Sequence, residues 1–156
     1  MIGRRALLTG AGVLLVAPVI AGCTTRSATV DGPIESGIVT GEALAPVNTL
    51  RVNNGLQPLL ADDVLSRAAL DHAEAMAVQG RVTHAGFRGR MRAAGVNFPA
   101  AENLAFGQPD TESAVYGWSQ SAGHRRNLLD DEFGRVGVAY ASAAGGRRYW
   151  AMVLSP

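Results

Sequence analysis

The sequence predicts an α+β domain of about four helices and a small antiparallel sheet. Two observations carry that expectation. Apolar residues recur at helical spacing through the first two-thirds of the domain, in runs bounded by capping residues and glycines. Two β-branched and aromatic runs, Val136 to Tyr140 and Tyr149 to Leu154, then close the chain around Ala143-Ala144-Gly145-Gly146, a composition suited to a hairpin connection. Helices first and a hairpin last imply packed α+β layers.

The first helix is expected from about Ala43 to Asn54, with Pro46 near its start, where a missing amide hydrogen costs little, and Gly55 as its stop. The second opens after Asp62 or Asp63 and runs to about Gln79, ahead of Gly80. Its apolar stripe is Leu65, Ala68, Ala69, His72 and Met76, so His72 is expected as a packing residue. A short third helix covers about Phe87 to Ala94. A fourth follows Pro109-Asp110-Thr111 and places Val115, Trp118 and Ala122 on one face, with Trp118 in the core. Asn103 to Phe106 is expected as a further short strand.

The N-terminus carries the parts of an export signal. Arg4 and Arg5 precede a mostly apolar run from Ala6 to Ile20, which Gly10, Gly12 and Pro18 interrupt. That run falls short of the roughly 20 apolar residues of a membrane span. Ile20-Ala21-Gly22-Cys23 resembles the bacterial lipobox, which makes residues 1–22 a lipoprotein signal and Cys23 the lipid anchor. Arg4-Arg5-Ala6-Leu7-Leu8 also resembles a twin-arginine signal, so export by that route or by Sec is expected. The expected destination is extracytoplasmic: a chain held by lipid on a bacterial membrane, on the periplasmic side in a Gram-negative cell. Thr24 to Ser36 is polar and aperiodic and reads as a tether, leaving residues 37–156 as one compact, monomeric domain.

Cys23 is the only cysteine, so no disulfide can form within the chain and the domain depends on its apolar core. From Cys23 onward 12 arginines face 13 carboxylates, a net charge of −1. Such a balance lacks the clustered positive charge that phosphate binding needs, which argues against a nucleic-acid partner. Arg88, Arg90 and Arg92 form the densest basic stretch and read as a solvated helix face.

Three segments could carry chemistry: Thr83-His84, Glu102-Asn103-Leu104-Ala105, and Trp118 with Gly123-His124-Arg125-Arg126-Asn127. Together with Asn48-Thr49-Leu50-Arg51, Gly55-Leu56-Gln57-Pro58-Leu59, Val136-Gly137-Val138 and Tyr149-Trp150, in this order, they resemble the bacterial branch of the CAP superfamily. That group is named for cysteine-rich secretory proteins, antigen 5 and pathogenesis-related-1 proteins, and its domain is also called SCP-like. The resemblance implies an α-β-α sandwich in which His84, Glu102 and His124 line one cleft.

Two neutral imidazoles and a carboxylate are a donor set for a divalent ion such as zinc, calcium or magnesium. The same groups suit acid–base work. They are therefore the candidate ligand-binding, metal-binding and catalytic residues, although separations of 18 and 22 residues form no local metal motif. Many eukaryotic members carry a second Glu three residues after the Trp; here that position is Ser121. The lost carboxylate disfavours tight metal binding and carboxylate-dependent hydrolysis. Three readings follow: a non-enzymatic module that binds an ion, a small ligand or an envelope partner; a metal-assisted hydrolase; or a structural role for both histidines. Asn103 and Asn127 are expected to pin backbone turns, and Gly123 to supply a backbone shape or a close approach that a Cβ would block. Ser119 and Ser121 lie near His124 in sequence, but no G-x-S-x-G elbow is present.

Overall fold

The computed structural model describes residues 33–143 and 146–156. The signal segment, Cys23 and residues 24–32 of the tether lie outside the described residues. The element order is β1 (Glu35–Ile38), α1 (Thr40–Asn53), β2 (Leu60–Ala61), α2 (Asp63–Gln79), α3 (Phe87–Ala93), β3 (Ala101–Phe106), α4 (Thr111–Gln120), α5 (Ala122–Leu128), β4 (Arg135–Ser142) and β5 (Tyr149–Ser155).

The sheet order is β1-β4-β5-β3, antiparallel throughout, with β2 added in parallel to β4. Alternation along β5 divides the core into two layers. Trp150, Met152 and Leu154 pack on one face with Val47 of α1, Trp118 of α4 and Leu128 of α5. Tyr149, Ala151 and Val153 pack on the other with Leu65, Ala69 and Met76 of α2 and Met91 of α3. Helices thus cover both faces, and the arrangement is the α-β-α sandwich. Because both its faces are buried, β5 is apolar almost throughout.

The two longer capped helices follow their sequence signals closely. Asp62 caps α2 by accepting from the Leu65 amide at 3.0 Å, and Gly80 ends it with φ 66°. Asp110 caps α4 through the Ser113 amide at 2.8 Å, and hydrogen bonding from the Ser113 side chain first and this amide second holds its carboxyl below the ordinary range.

Four expectations are corrected. The first helix begins at Thr40, so Pro46 lies inside it. The Val39 amide donates to the Val138 carbonyl, and Thr40 Oγ1 meets Ser66 Oγ at 2.7 Å, so contacts with β4 and α2 set the start. The expected tether ran through Ser36, yet Glu35 and Ser36 belong to an edge strand paired with Ser142 and Ala141 of β4. Ala122 does not continue α4: the backbone turns extended at Ser121, with φ −90° and ψ 122°, and starts a fifth helix. At Gly123 the position a Cβ would take meets nothing among the described residues within 4 Å and φ is not positive, so neither a close approach nor a left-handed backbone requires the glycine. The close approach is at Gly137 on β4, where a Cβ would overlap the backbone of Leu65 and Ser66 in α2.

Candidate functional site

Strand β3 presents Glu102 toward the α2–α3 side of the sheet, where it is buried at 7% exposure. A buried carboxylate requires charge compensation and hydrogen-bond donors. His84, in the loop after α2, supplies one donor: its Nδ1 lies 2.9 Å from Glu102 Oε1. A carboxylate accepts, so the neutral ring carries its proton on Nδ1 and leaves the Nε2 lone pair free. The His84 side chain is 59% exposed, whereas that of Glu102 is 2% exposed. Glu102 therefore works from below to orient a histidine that faces out.

The main compensating charge comes from Arg90 of α3. Its Nη2 donates to both Glu102 oxygens, at 3.2 and 2.9 Å, and its Nε donates to the Ala85 carbonyl at 3.3 Å. This corrects the expectation that Arg90 belongs to a solvated face. His72 also departs from its expected place outside the cleft. It is buried on the α2 stripe, but its Nε2 donates to the Thr83 carbonyl at 2.8 Å and lies 3.7 Å from Glu102 Oε2. Burial holds the His72 pKa below its ordinary value against the pull of Glu102, so the ring is neutral near pH 7. Among the described residues, His72 Nδ1 and Arg90 Nη1 have no hydrogen-bond partner. Both residues line a cavity of about 260 Å³ between α2 and α3, bounded also by Ala68, Asp71 and Met91. That cavity lies behind the network and is lined by neither His84 nor His124.

His124 reaches the site from α5. Burial first, and the neighbouring His84 second, lower its pKa, so it too is neutral near pH 7. Asn103, next to Glu102 on β3, donates to the His124 carbonyl at 3.1 Å and accepts from the Asn127 amide at 2.8 Å. Asn103 pins the α5 backbone as expected, while Asn127 acts through the Asn103 side chain. Ser119 Oγ donates to the Tyr116 carbonyl at 2.7 Å, which commits that hydroxyl to the helix backbone. Trp118 is buried in the core.

A three-ligand metal centre does not fit this arrangement. Among the described residues no group of three or more His, Cys, Asp and Glu side chains is placed to hold an ion. Glu102 is already engaged by Arg90 and His84, which leaves two imidazoles as free donors. Sequence reasoning missed Arg90 and His72. One signal for His72 was present: a titratable ring on an apolar stripe needs a buried partner. Nothing in the spacing of Arg90 points to Glu102.

The profile described as "CAP: Cysteine-rich secretory protein family" matches residues 44–154, and the chain belongs to that family. Two relatives come from Bacillus subtilis: the uncharacterized protein YkwD, 32% identical over 62% of this chain, and the uncharacterized membrane protein YlbC, 33% identical over 58%. The matches span only 40% and 28% of those proteins. A crystal structure of an extracellular protein containing a SCP domain from Bacillus anthracis superposes with a TM-score of 0.65 at 25% identity, covering 74% of this chain and 39% of that one. Among the described residues no helix is long and apolar enough to cross a membrane.

Proposed function

We propose that the protein is a lipid-anchored, extracytoplasmic CAP module that binds an envelope ligand at the edge formed by His84 and His124, without turning it over. One observation carries the reading: the Glu102 carboxylate is spent inside the protein. It accepts from Arg90 on both oxygens and from His84 on one, and it is shielded from solvent. A general base must reach the proton it abstracts, and Glu102 instead fixes the tautomer of His84. The outward chemistry is then the His84 Nε2 lone pair beside a neutral His124, a pair suited to hydrogen-bonding a small polar ligand. The same commitment of Glu102 weighs against a metal-assisted hydrolase.

Anchoring rests on Arg4, Arg5, the apolar run and Cys23. The descriptions of relatives as extracellular or membrane proteins agree with export. Labelling cells with a palmitate analogue tests the anchor: wild type should be labelled, and Cys23→Ala should not. Equal labelling of both would remove Cys23 as the lipidation site.

For the cleft, the His84 and His124 ring signals of the full chain can be followed by NMR during addition of soluble cell-wall fragments and lipid headgroups. A binder should shift both rings and lose about tenfold or more in affinity in His84→Ala, in line with an orphaned hydrogen-bonding group. Conversion of that binder to product, abolished by Glu102→Gln, would replace this reading with the hydrolase.

A further inference from the structure

We infer that Arg90 is the resident cation of this cleft, a positioning residue whose guanidinium neutralises Glu102 and makes the orientation of His84 independent of any metal. The inference rests on the reading of Glu102 as an orienting group. Its test does not depend on whether an envelope ligand is found.

A carboxylate at 7% exposure cannot stand alone. Three sources could neutralise it: its own proton, a bound metal ion or a cationic side chain. The third is present, with geometry that a surface encounter would not produce. Arg90 Nη2 bridges both carboxylate oxygens, its Nε holds the Ala85 carbonyl, and its guanidinium carbon lies 5.9 Å from the centre of the Phe87 ring. Arginine is suited to this task, since it stays charged and presents a planar fork of donors. One side chain thereby ties α3, the loop carrying His84 and strand β3.

The consequence for metals is direct. A carboxylate oxygen offers two lone-pair directions. Glu102 Oε1 accepts from both His84 and Arg90, while Oε2 accepts from Arg90 and has His72 Nε2 at 3.7 Å. A divalent ion bound to Glu102 would have to displace the guanidinium or face its charge at close range, where like charges repel strongly. Removing Arg90 takes the positive charge away from Glu102 and leaves the carboxylate oxygens that it occupied open to an ion.

The test is calorimetric titration of the full chain in detergent with zinc chloride at pH 7.5. It compares wild type, Glu102→Gln, Arg90→Gln, Arg90→Lys and the Arg90→Gln/Glu102→Gln double variant. Arg90→Gln is expected to bind zinc at least about tenfold more tightly than wild type, the scale on which groups surrounding a site alter metal affinity. Arg90→Lys should stay close to wild type because it keeps the charge, and the double variant should lose the gain. Wild-type zinc affinity that falls in Glu102→Gln would overturn the inference, as would no gain in a folded Arg90→Gln protein. If Arg90→Gln does not fold, the wild-type comparison still decides, together with the ¹⁵N shifts of the His84 ring. Those shifts should report the Nδ1-protonated tautomer equally before and after chelation; a change on chelation counts against Arg90 as the resident cation.

Discussion

Asn127 donates its side-chain amide to Asn103 Oδ1 at 2.8 Å, and Asn103 passes the connection on to the His124 carbonyl at 3.1 Å. This two-step link fastens α5 to β3 beside Glu102. Asn103 is fully buried, so its loss leaves the Asn127 amide and the His124 carbonyl without their partner. Asn103→Ala should cost about 2–3 kcal/mol in urea denaturation. It should also shift the His124 ring signals, and unchanged signals would show that the link does not position the ring.

Arg51 is a buried cation, 2% exposed, whose partners are backbone carbonyls. It donates to the carbonyls of Gln57, Leu128, Asp130 and Phe133. Burial lowers its pKa while Asp130 and Asp131 oppose the shift. Arg51→Met should destabilise the fold by about 3 kcal/mol or more, because several buried carbonyls lose a charged donor together. Zinc titration of a folded Arg51 variant should match wild type, in contrast to Arg90→Gln.

Gly137 permits α2 to lie on β4. A methyl group there would overlap the Leu65 and Ser66 backbone, which cannot move aside as a flexible side chain can. Gly137→Ala should therefore cost about 3 kcal/mol or more, the upper end of overpacking effects. A thermal melt near wild type would contradict this close packing of helix on strand. Gly123→Ala, where a Cβ meets open space, should be nearly silent.

His72 and His124 are both held below their ordinary pKa, chiefly by burial. In the unfolded chain each takes up a proton near pH 6.5. Between that value and the lower folded pKa the unfolded state binds more protons, so stability rises with pH. The contribution is fully present above about pH 6.5 and is lost as pH falls through the folded values. Melting temperatures should drop between pH 7.5 and 5, and His72→Gln should flatten part of that slope. Identical slopes in wild type and variant would exclude His72 as a source.

Much of the fold is legible in the chain. Asp62 and Gly80 bracket α2, Asp110 opens α4, and the runs at Val136 and Tyr149 give the hairpin, because caps and periodicity act over a few residues. The family motifs also place His84, Glu102 and His124 in one region. Less legible are β1 and the break at Ser121. Glu35 to Ile38 has no local strand pattern and becomes a strand only because β4 offers an unpaired edge.

By itself the sequence determined the layered α+β architecture and the family motifs that carry His84, Glu102 and His124. Tertiary structure alone decided what Glu102 does. Hydrogen-bonding capacity carries no address: Arg90 could as well have faced water, and His72 could have been plain packing. Burial of Glu102 between β3 and the α2–α3 layer gathers both around one carboxylate, because unpaired charge is costly there. That pairing turns a potential base or metal ligand into the fixed support of His84.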